Sequence, residues 1–279
     1  LLGASERPNV YLTTPYGSAR EALPVIGELG FEAVHVDLSP WTLDADAGYA
    51  SRVAETIPAS THLVAGLIDG RNVWAANLRE RTEVLESLGD REVSVSTSTS
   101  LQHVPHTLKA ERNLPVEVAP WLSFADEKLA EIQALVAGPD AATEAFAQSD
   151  RAVRTRAEST TIHNKAVTDR VAALPEGVVK REPAFEERNK IQHEELGLPK
   201  LPITTIGSFP QTDEIRKARA DHREGELSDA DYKEALKNEI KQVIELQEEI
   251  GLDVLVHGEA ERNDMVQYFA ELLDGFVAT

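Results

Sequence analysis

The stretch Leu201-Pro202-Ile203-Thr204-Thr205-Ile206-Gly207-Ser208-Phe209-Pro210-Gln211 decides how the surrounding chain folds. Its apolar and β-branched residues predict a strand, which ends at Gly207 and Ser208 before a helical pattern begins near Thr212. A strand that leads directly into a helix is the unit of α/β barrels, whose enzymes carry their chemistry at the carboxyl ends of the strands. The sequence therefore predicts an α/β fold of the (β/α)8 barrel type, with a site at this junction.

A second junction of this kind lies at the end of the segment Leu252–Glu259. A capping box at Ser228–Asp231 begins a long amphipathic helix, and Gly251 ends it immediately before the strand. In an extended strand, His257 and Glu259 share one face. We therefore expect the two strand ends to form one small-molecule site.

Residues 1–100 repeat a strand–helix unit. The predicted strands are Asn9–Thr14, Phe31–Leu38, His62–Ile68 and Arg91–Thr97, and the predicted helices run over Ser18–Leu29, Asp46–Thr56 and Asn72–Leu88. Pro24 either kinks the first of these helices or marks its true start. Strands that alternate with helices at this spacing predict a parallel sheet. A closed barrel takes about eight such strands, so this sheet is an incomplete barrel.

The pattern changes after Thr97. Helical spacing is found over Trp121–Val136 and again over Ala141–Arg170, and several prolines then interrupt a stretch that is poor in apolar residues. We interpret 1–170 as the C-terminal part of a first barrel with trailing helices, 171–200 as an interdomain linker and 201–279 as the beginning of a second barrel. Both barrels are incomplete in this chain.

Composition excludes several classes of protein. A net charge of −20 argues against a nucleic-acid-binding surface, and the absence of cysteine excludes disulfides and thiolate metal sites. No apolar run approaches the roughly 20 residues of a membrane span, and the N-terminus does not have the pattern of a secretory signal. A cytoplasmic protein that handles a small metabolite is expected. The single methionine is Met265, so we also expect a processed chain or an internal piece of a longer one.

The first candidate site residues are Gly207, Ser208 and Glu259. Consecutive main-chain N–H groups near a helix start suit a carboxylate, and an acidic side chain at a barrel mouth suits an ammonium group. Two alternatives stay open. The Gly-Ser pair also fits a plain turn, and Glu259 could instead pair with Arg262 or cap a helix at Asn263.

Other candidate residues fit a catalytic or metal-binding role less well. His257 and Glu259 could ligate a metal, but no third ligand lies near, which favours a buried, hydrogen-bonded histidine. The hydroxyl run Ser96–Ser100 with His103 has neither a nucleophile elbow nor an orienting acid. Asp37, at the end of the second strand, is expected to cap or pair locally.

These segments resemble cobalamin-independent methionine synthase. The resemblance is carried by LPITTIGSFPQT at 201–212, by GLDVLVHGEAERNDMV at 251–266 and by STSTSLQHVP at 96–105, and it extends over essentially the whole chain. The family often has cysteine where Thr99 stands. The chain is accordingly interpreted as an internal fragment that spans the end of the first barrel, the linker and the start of the second.

The resemblance implies a monomeric two-barrel enzyme that transfers a methyl group from a methyl-folate polyglutamate to homocysteine, forming methionine. It implies a zinc ion that holds the homocysteine thiolate, and no cobalamin. It also implies that Ile206, Gly207, Ser208 and Glu259 hold the amino-acid end of homocysteine. The His, Glu and Cys ligands of the family's zinc are absent from this chain, so we expect the chain by itself to bind no zinc tightly and to be inactive.

Two other classes stay open from the sequence. One is an amino-acid-binding or regulatory module that has lost the metal site, and the other is a different zinc or cobalamin methyltransferase barrel. The first would be a complete gene with its own start codon. The second would carry a different ligand set in its C-terminal sequence.

Overall fold

The computed structural model describes residues 7–175, 177, 180–277 and 279, and the chain divides into two compact units between Asn164 and Lys165. The domain boundaries that the sequence suggests, at residues 170 and 200, stay predictions. Within the described residues, no helix combines the length and the apolar composition that crossing a membrane requires.

The first unit is built on a parallel sheet whose strands lie in the order β1-β2-β3-β4. The strands are β1 (Tyr11–Thr14), β2 (Ala33–Asp37), β3 (His62–Ile68) and β4 (Val93–Thr97). The strand β3 has the predicted bounds, and the other three each begin two residues later than predicted. The expected α/β architecture with a parallel sheet is therefore confirmed.

Helices connect the strands of the first unit, and two further helices come after the last strand in the sequence. They are α1 (Leu23–Glu28), α2 (Pro40–Ala45), α3 (Tyr49–Thr56), α4 (Leu78–Glu86), α5 (Ala125–Ala137) and α6 (Thr143–Glu158). The helix after β1 does not start at Ser18, whose hydroxyl instead donates to Asp46 Oδ2 at 2.6 Å. It starts at Leu23 with Pro24 in its first turn, where a missing N–H costs nothing. Pro24 thus marks the start of α1 and is not a kink.

Tertiary contacts also shorten the helix expected over Asn72–Leu88. Trp74 forms an antiparallel bridge with Leu122, and this extended segment cannot be helical at the same time. The helix α4 begins only after Asn77, whose side chain accepts a hydrogen bond from the Glu80 N–H.

The helices expected over Asp46–Thr56 and Ala141–Arg170 are also interrupted. The first starts after Gly48, which has a φ of 77°. The second breaks at Ser159, where extended backbone ends α6 and the Ser159 hydroxyl donates to Glu117 at 2.6 Å. Side-chain hydrogen bonds of this kind compete with the helix ladder, and spacing alone does not reveal them.

One face of the sheet is apolar and packs against the helices. Alternate strand residues form it together with apolar helix side chains, and all of the following are fully buried or nearly so: Leu23, Val34, Val36, Tyr49, Val53, Leu63, Ala65, Leu67, Leu78, Leu135 and Phe146. Because side chains alternate along a strand, the residues between these positions lie on the opposite face.

An ion pair ties the residues before β1 to those before β2. The Arg7 guanidinium donates to both carboxylate oxygens of Glu32, at 2.6 and 2.8 Å, and the Val10 N–H donates to Glu32 at 2.7 Å. These hydrogen bonds, first from Arg7 and then from Val10, lower the pKa of Glu32 to about 2.

We expect Glu32→Gln to reduce the acid sensitivity of the first unit. Because the pKa is lower in the folded state, the stabilisation by Glu32 is present above its ordinary pKa of 4.5 and is lost as the pH falls towards 2. Urea unfolding at pH 7, 4 and 3 should therefore show a smaller loss in the variant than in the parent. Glu28→Gln, at the exposed end of α1, is the control for the removal of one carboxylate from this unit. Identical profiles for the parent and Glu32→Gln would contradict the assignment.

The second unit is mainly helical in its described residues. Its helices are α7 (Lys165–Ala172), α8 (Phe185–Leu196), α9 (Asp213–Glu224), α10 (Asp229–Ile250) and α11 (Met265–Leu272). The start of α10 is as predicted, because the Ser228 hydroxyl accepts a hydrogen bond from the Asp231 N–H at 3.2 Å. Its end at Gly251, with a φ of 77°, is also as predicted.

The strands predicted on either side of α9 and α10 are wrong as regular strands. The segments 203–208 and 253–258 run parallel, but the described residues form only an isolated bridge between Ser208 and Gly258. Side-chain hydrogen bonds supplement the few main-chain hydrogen bonds between the two segments. Asp253 accepts from the Ile203 N–H at 2.8 Å, and the Thr204 hydroxyl donates to Val254 O at 2.9 Å.

Candidate functional site

The two strand ends singled out in the sequence lie side by side. Ser208 is bridged to Gly258, and the Phe209 N–H donates to Gly258 O at 2.9 Å. A Cβ added to Gly207 would lie 3.3 Å from Glu259 Oε1. The structure thus brings the Glu259 carboxylate directly over the main chain of Gly207 and next to Ser208.

Glycine is favoured at position 207 for two reasons. Its φ of 123° lies in the region that L side chains rarely adopt, and an added Cβ would make a tight 3.3 Å contact with the Glu259 carboxylate. The main-chain N–H groups of Gly207 and Ser208 donate no hydrogen bond within the described part of the chain. Two free donors beside a carboxylate can hold a ligand that has both an acceptor and an ammonium group.

The backbone at Glu259 is left-handed, with a φ of 62°. This turns Glu259 away from the extended face that it was expected to share with His257, so that part of the prediction is wrong. A residue other than glycine in this conformation costs of order 1–3 kcal/mol, and such strain is concentrated at functional sites. The conformation is what directs the carboxylate towards Gly207.

Glu259 also pairs with Arg262, one of the alternatives that the sequence left open. The Arg262 Nη2 donates to Glu259 Oε2, and this hydrogen bond raises the pKa of Arg262. The other alternative, a cap at Asn263, is not found, because α11 is capped by Asp264, which accepts from the Gln267 N–H at 2.8 Å. The two carboxylate oxygens of Glu259 therefore have different neighbours. Oε2 accepts from Arg262, and Oε1 lies next to Gly207.

Ile206 and His257 are not brought into this cluster by their side chains. The Ile206 side chain is 93% exposed. His257 is also exposed rather than buried as expected, because the segment 253–257 has only one covered face. Its Nδ1 accepts a hydrogen bond from the Glu259 N–H at 3.1 Å and lies 3.7 Å from the Glu261 carboxylate. No group of three or more potential ligands for a metal comes together in the described residues.

Two positioning residues were missed in the sequence. Arg219 of α9 donates to Gln211 Oε1 at 2.6 Å and to Ala260 O at 2.7 Å, so it joins the loops that carry Gly207 and Glu259. Gln247 of α10 is fully buried and binds both main-chain groups of Val256. The sequence does contain one signal for the role of Gln247, because a glutamine stands there among the apolar residues that recur along one face of α10.

The remaining candidates of the first unit have structural roles in the described residues. Asp37 accepts hydrogen bonds from the N–H groups of Gly17 and Ser39, both at 2.9 Å, which fits the expected local pairing. His103 pairs through Nε2 with the Tyr16 hydroxyl at 2.8 Å. In the run Ser96–Ser100, hydroxyl groups bond to nearby main-chain atoms, as expected for a segment without a nucleophile.

We expect Gly207→Ala to lower the free energy of unfolding by about 1–2 kcal/mol, since a side chain is strained at this φ and its Cβ contacts Glu259. Gly17→Ala is a matched control. Gly17 has a φ of 120°, and an added Cβ there would lie 3.8 Å from Trp41 Cζ3, which is an ordinary contact. Urea unfolding of both variants separates the backbone penalty, which they share, from the contact with Glu259. Equal losses would show that the carboxylate does not lie over position 207.

Comparison with known protein families identifies similarity at both ends of the chain. Residues 1–92 match the family described as cobalamin-independent synthase, N-terminal domain. Residues 201–279 match the family described as cobalamin-independent synthase, catalytic domain, and this range holds Gly207 and Glu259.

Curated relatives are similar over nearly the whole chain. The 5-methyltetrahydropteroyltriglutamate–homocysteine methyltransferase of Paraburkholderia xenovorans is 47% identical over 277 residues, which are 97% of this chain and 36% of the relative. The enzymes of the same name from Xylella fastidiosa strain 9a5c and Actinobacillus pleuropneumoniae are 42% and 45% identical, over 100% and 99% of this chain and 37% of each relative. The chain thus spans a little over a third of the length of these relatives.

Proposed function

Because the chain is a homologue of the cobalamin-independent methionine synthases, we propose that it forms part of an enzyme that transfers a methyl group from 5-methyltetrahydropteroyltriglutamate to homocysteine. The parallel sheet and its helices are consistent with part of a barrel of that family. In this proposal the second unit holds the amino-acid end of homocysteine. The observation that carries it is the position of the Glu259 carboxylate over the main chain of Gly207.

The geometry supports a division of roles between the two strand ends. The homocysteine ammonium group pairs with Glu259 Oε1, the oxygen that Arg262 does not bind. The homocysteine carboxylate accepts from the N–H groups of Gly207 and Ser208, which donate to nothing else in the described residues. Ile206 contributes through its main chain, since its side chain points into solvent. Charge-assisted hydrogen bonds of this kind contribute about 1.5–3 kcal/mol each.

Zinc is the metal of the homologous family, and the residues of this chain do not fit it. The chain has no cysteine, and His257, the histidine next to Glu259, lies 3.7 Å from the Glu261 carboxylate without a third potential ligand among the described residues. No step of the reaction is therefore assigned to a metal held by this chain. What its residues do is to bind and orient the amino-acid end of the substrate.

A titration of the ¹⁵N-labelled chain with L-homocysteine tests the proposal. The amide resonances of Gly207 and Ser208 are expected to shift in a saturable manner. Two analogues serve as controls: 4-sulfanylbutanoic acid lacks the ammonium group, and 3-aminopropane-1-thiol lacks the carboxylate. Each is expected to bind about tenfold more weakly or worse, because one charge-assisted contact is lost. Equal binding of either analogue would refute the assigned roles.

A further inference from the structure

Gln211 lies in the loop that follows Gly207 and uses both ends of its side-chain amide. Its Oε1 accepts from Arg219 Nη2 at 2.6 Å, and its Nε2 donates to Arg262 O at 3.2 Å. Arg219, in α9, also donates to Ala260 O at 2.7 Å. A continuous set of hydrogen bonds therefore connects the loop of Gly207 with the turn that contains Ala260 and Arg262.

The turn that Gln211 and Arg219 contact has a strained backbone. Its first residue, Glu259, has a left-handed φ of 62°, and the Arg262 N–H donates back to Glu259 O at 3.3 Å. Conformations of this kind persist only where the surrounding structure holds them in place. The hydrogen bonds to Ala260 O and Arg262 O supply such support from outside the turn. Loss of either bond should allow the turn to relax.

The same contacts fix the position of the Glu259 carboxylate. Arg262 accepts from Gln211 through its main chain and donates through Nη2 to Glu259 Oε2. Because the main chain of Arg262 is held, the carboxylate that its guanidinium binds is held as well. Glu259 Oε1 then stays 3.3 Å from the position that a Cβ on Gly207 would take. The distance from this oxygen to the N–H donors of Gly207 and Ser208 therefore depends on Gln211.

We propose that Gln211 is a positioning residue that makes the site selective for α-amino acids. In an α-amino acid, one carbon atom carries both the ammonium group and the carboxylate, so the separation of these groups is short. A site that holds its ammonium acceptor and its carboxylate donors at one distance disfavours a β-amino acid, in which a further carbon atom intervenes. The wrong ligand leaves one polar group of the site unpaired, and this produces the selectivity. The inference rests on the proposed binding of homocysteine at Gly207, Ser208 and Glu259.

The preference between two ligands tests this role. The probes are L-homocysteine and the β-amino acid 3-amino-5-sulfanylpentanoic acid, and their affinities are measured from the amide shifts of the ¹⁵N-labelled chain. The unaltered protein should prefer L-homocysteine about tenfold or more, and Gln211→Met should reduce that preference to about threefold or less. Methionine keeps the length of the side chain and loses both hydrogen bonds. General destabilisation of the fold would weaken both ligands alike and leave their ratio unchanged.

Two further variants make the test specific to the bond with Arg262. Gln211→Glu keeps an acceptor for Arg219 but has no donor for Arg262 O, so it should lose selectivity as Gln211→Met does. Gln242→Met, at an exposed position of α10, is the control and should keep the parental ratio. Parental selectivity in a folded Gln211 variant, or binding of both ligands without preference by the unaltered protein, would overturn the inference. A failure of the unaltered protein to bind L-homocysteine would instead contradict the proposed function.

A measurement without ligand tests the positioning by itself. The Glu259 N–H donates to His257 Nδ1 at 3.1 Å and the Arg262 N–H donates to Glu259 O, so both amides report on the turn. Their hydrogen exchange should be roughly three- to tenfold faster in Gln211→Met than in the unaltered protein, because Arg262 O is no longer held. Gln242→Met should keep the parental rates. Unchanged exchange in Gln211→Met would show that Gln211 does not position the turn, and the inference would then fail whether or not homocysteine binds.

Discussion

Replacement of Gln247 by leucine is expected to lower the free energy of unfolding of the second unit by about 2–4 kcal/mol. The Gln247 side chain is fully buried. It makes the hydrogen bonds to the main chain of Val256 that a neighbouring strand would otherwise make. Its Nε2 donates to Val256 O at 2.7 Å and to Val243 O at 2.9 Å, and its Oε1 accepts from the Val256 N–H at 2.9 Å. Leucine fills a similar volume but leaves both main-chain groups of Val256 without partners, at about 1–3 kcal/mol each.

The chain provides an internal reference for this measurement. Its three tryptophans, Trp41, Trp74 and Trp121, all lie in the first unit, whereas α10 supplies much of the helical signal of the second. In urea, Gln247→Leu should lower the midpoint seen by circular dichroism while the tryptophan transition stays unchanged. Gln242→Leu, at an exposed position of the same helix, should change neither. Equal circular-dichroism midpoints for Gln247→Leu and Gln242→Leu would contradict the role of Gln247.

Glu259→Gln should weaken L-homocysteine binding by about ten- to a hundredfold, since a charge-assisted contact with the ligand ammonium is replaced by a neutral one. Glutamine keeps the volume and one acceptor, so packing changes little. The pair with Arg262 is partly exposed, and pairs of that kind contribute about 0–1 kcal/mol. The loss of affinity should therefore exceed the loss of stability.

The same experiment distinguishes a role of Glu259 in binding the ligand from a role that is limited to holding Arg262. Affinity is measured by the amide shifts of Gly207 and Ser208, and stability is measured by urea unfolding. Glu261→Gln is the matched control, since it removes a neighbouring carboxylate that contacts only His257 among the ion pairs of the described residues. A destabilised Glu259→Gln variant with parental affinity would mean that Glu259 only holds Arg262.

Local chemistry made the first sheet predictable from sequence. The short, nearly continuous apolar run His62–Ile68 predicts β3 with its observed bounds, and the strand–helix repeat requires parallel pairing. Helix starts were less predictable, because they depend on contacts with distant residues. The bond from Ser18 to Asp46 and the bridge of Trp74 with Leu122 both displace a start that spacing suggests.

The candidate site also has features that the sequence could predict and features that it could not. Adjacent strand ends could be expected to bring Gly207 and Glu259 together, since the carboxyl ends of parallel strands meet at one edge. The left-handed backbone of Glu259 and the bonds made by Arg219 could not be expected. Both depend on three-dimensional distances between a loop and a helix, for which a single sequence contains no signal.

The long sequence separation within the second unit has a consequence for the order of its assembly. Ile203 and Asp253 are 50 residues apart, and closing a flexible loop of that length costs roughly 3.5 kcal/mol of chain entropy. The hairpin of α9 and α10 occupies this interval and shortens it, because the two helices pack together and His222 stacks on Tyr232 with ring centroids 4.5 Å apart. We therefore expect the junction at Gly207 and Glu259 to close after the hairpin has formed. Disruption of the His222–Tyr232 stack would slow that closure without touching any residue of the junction.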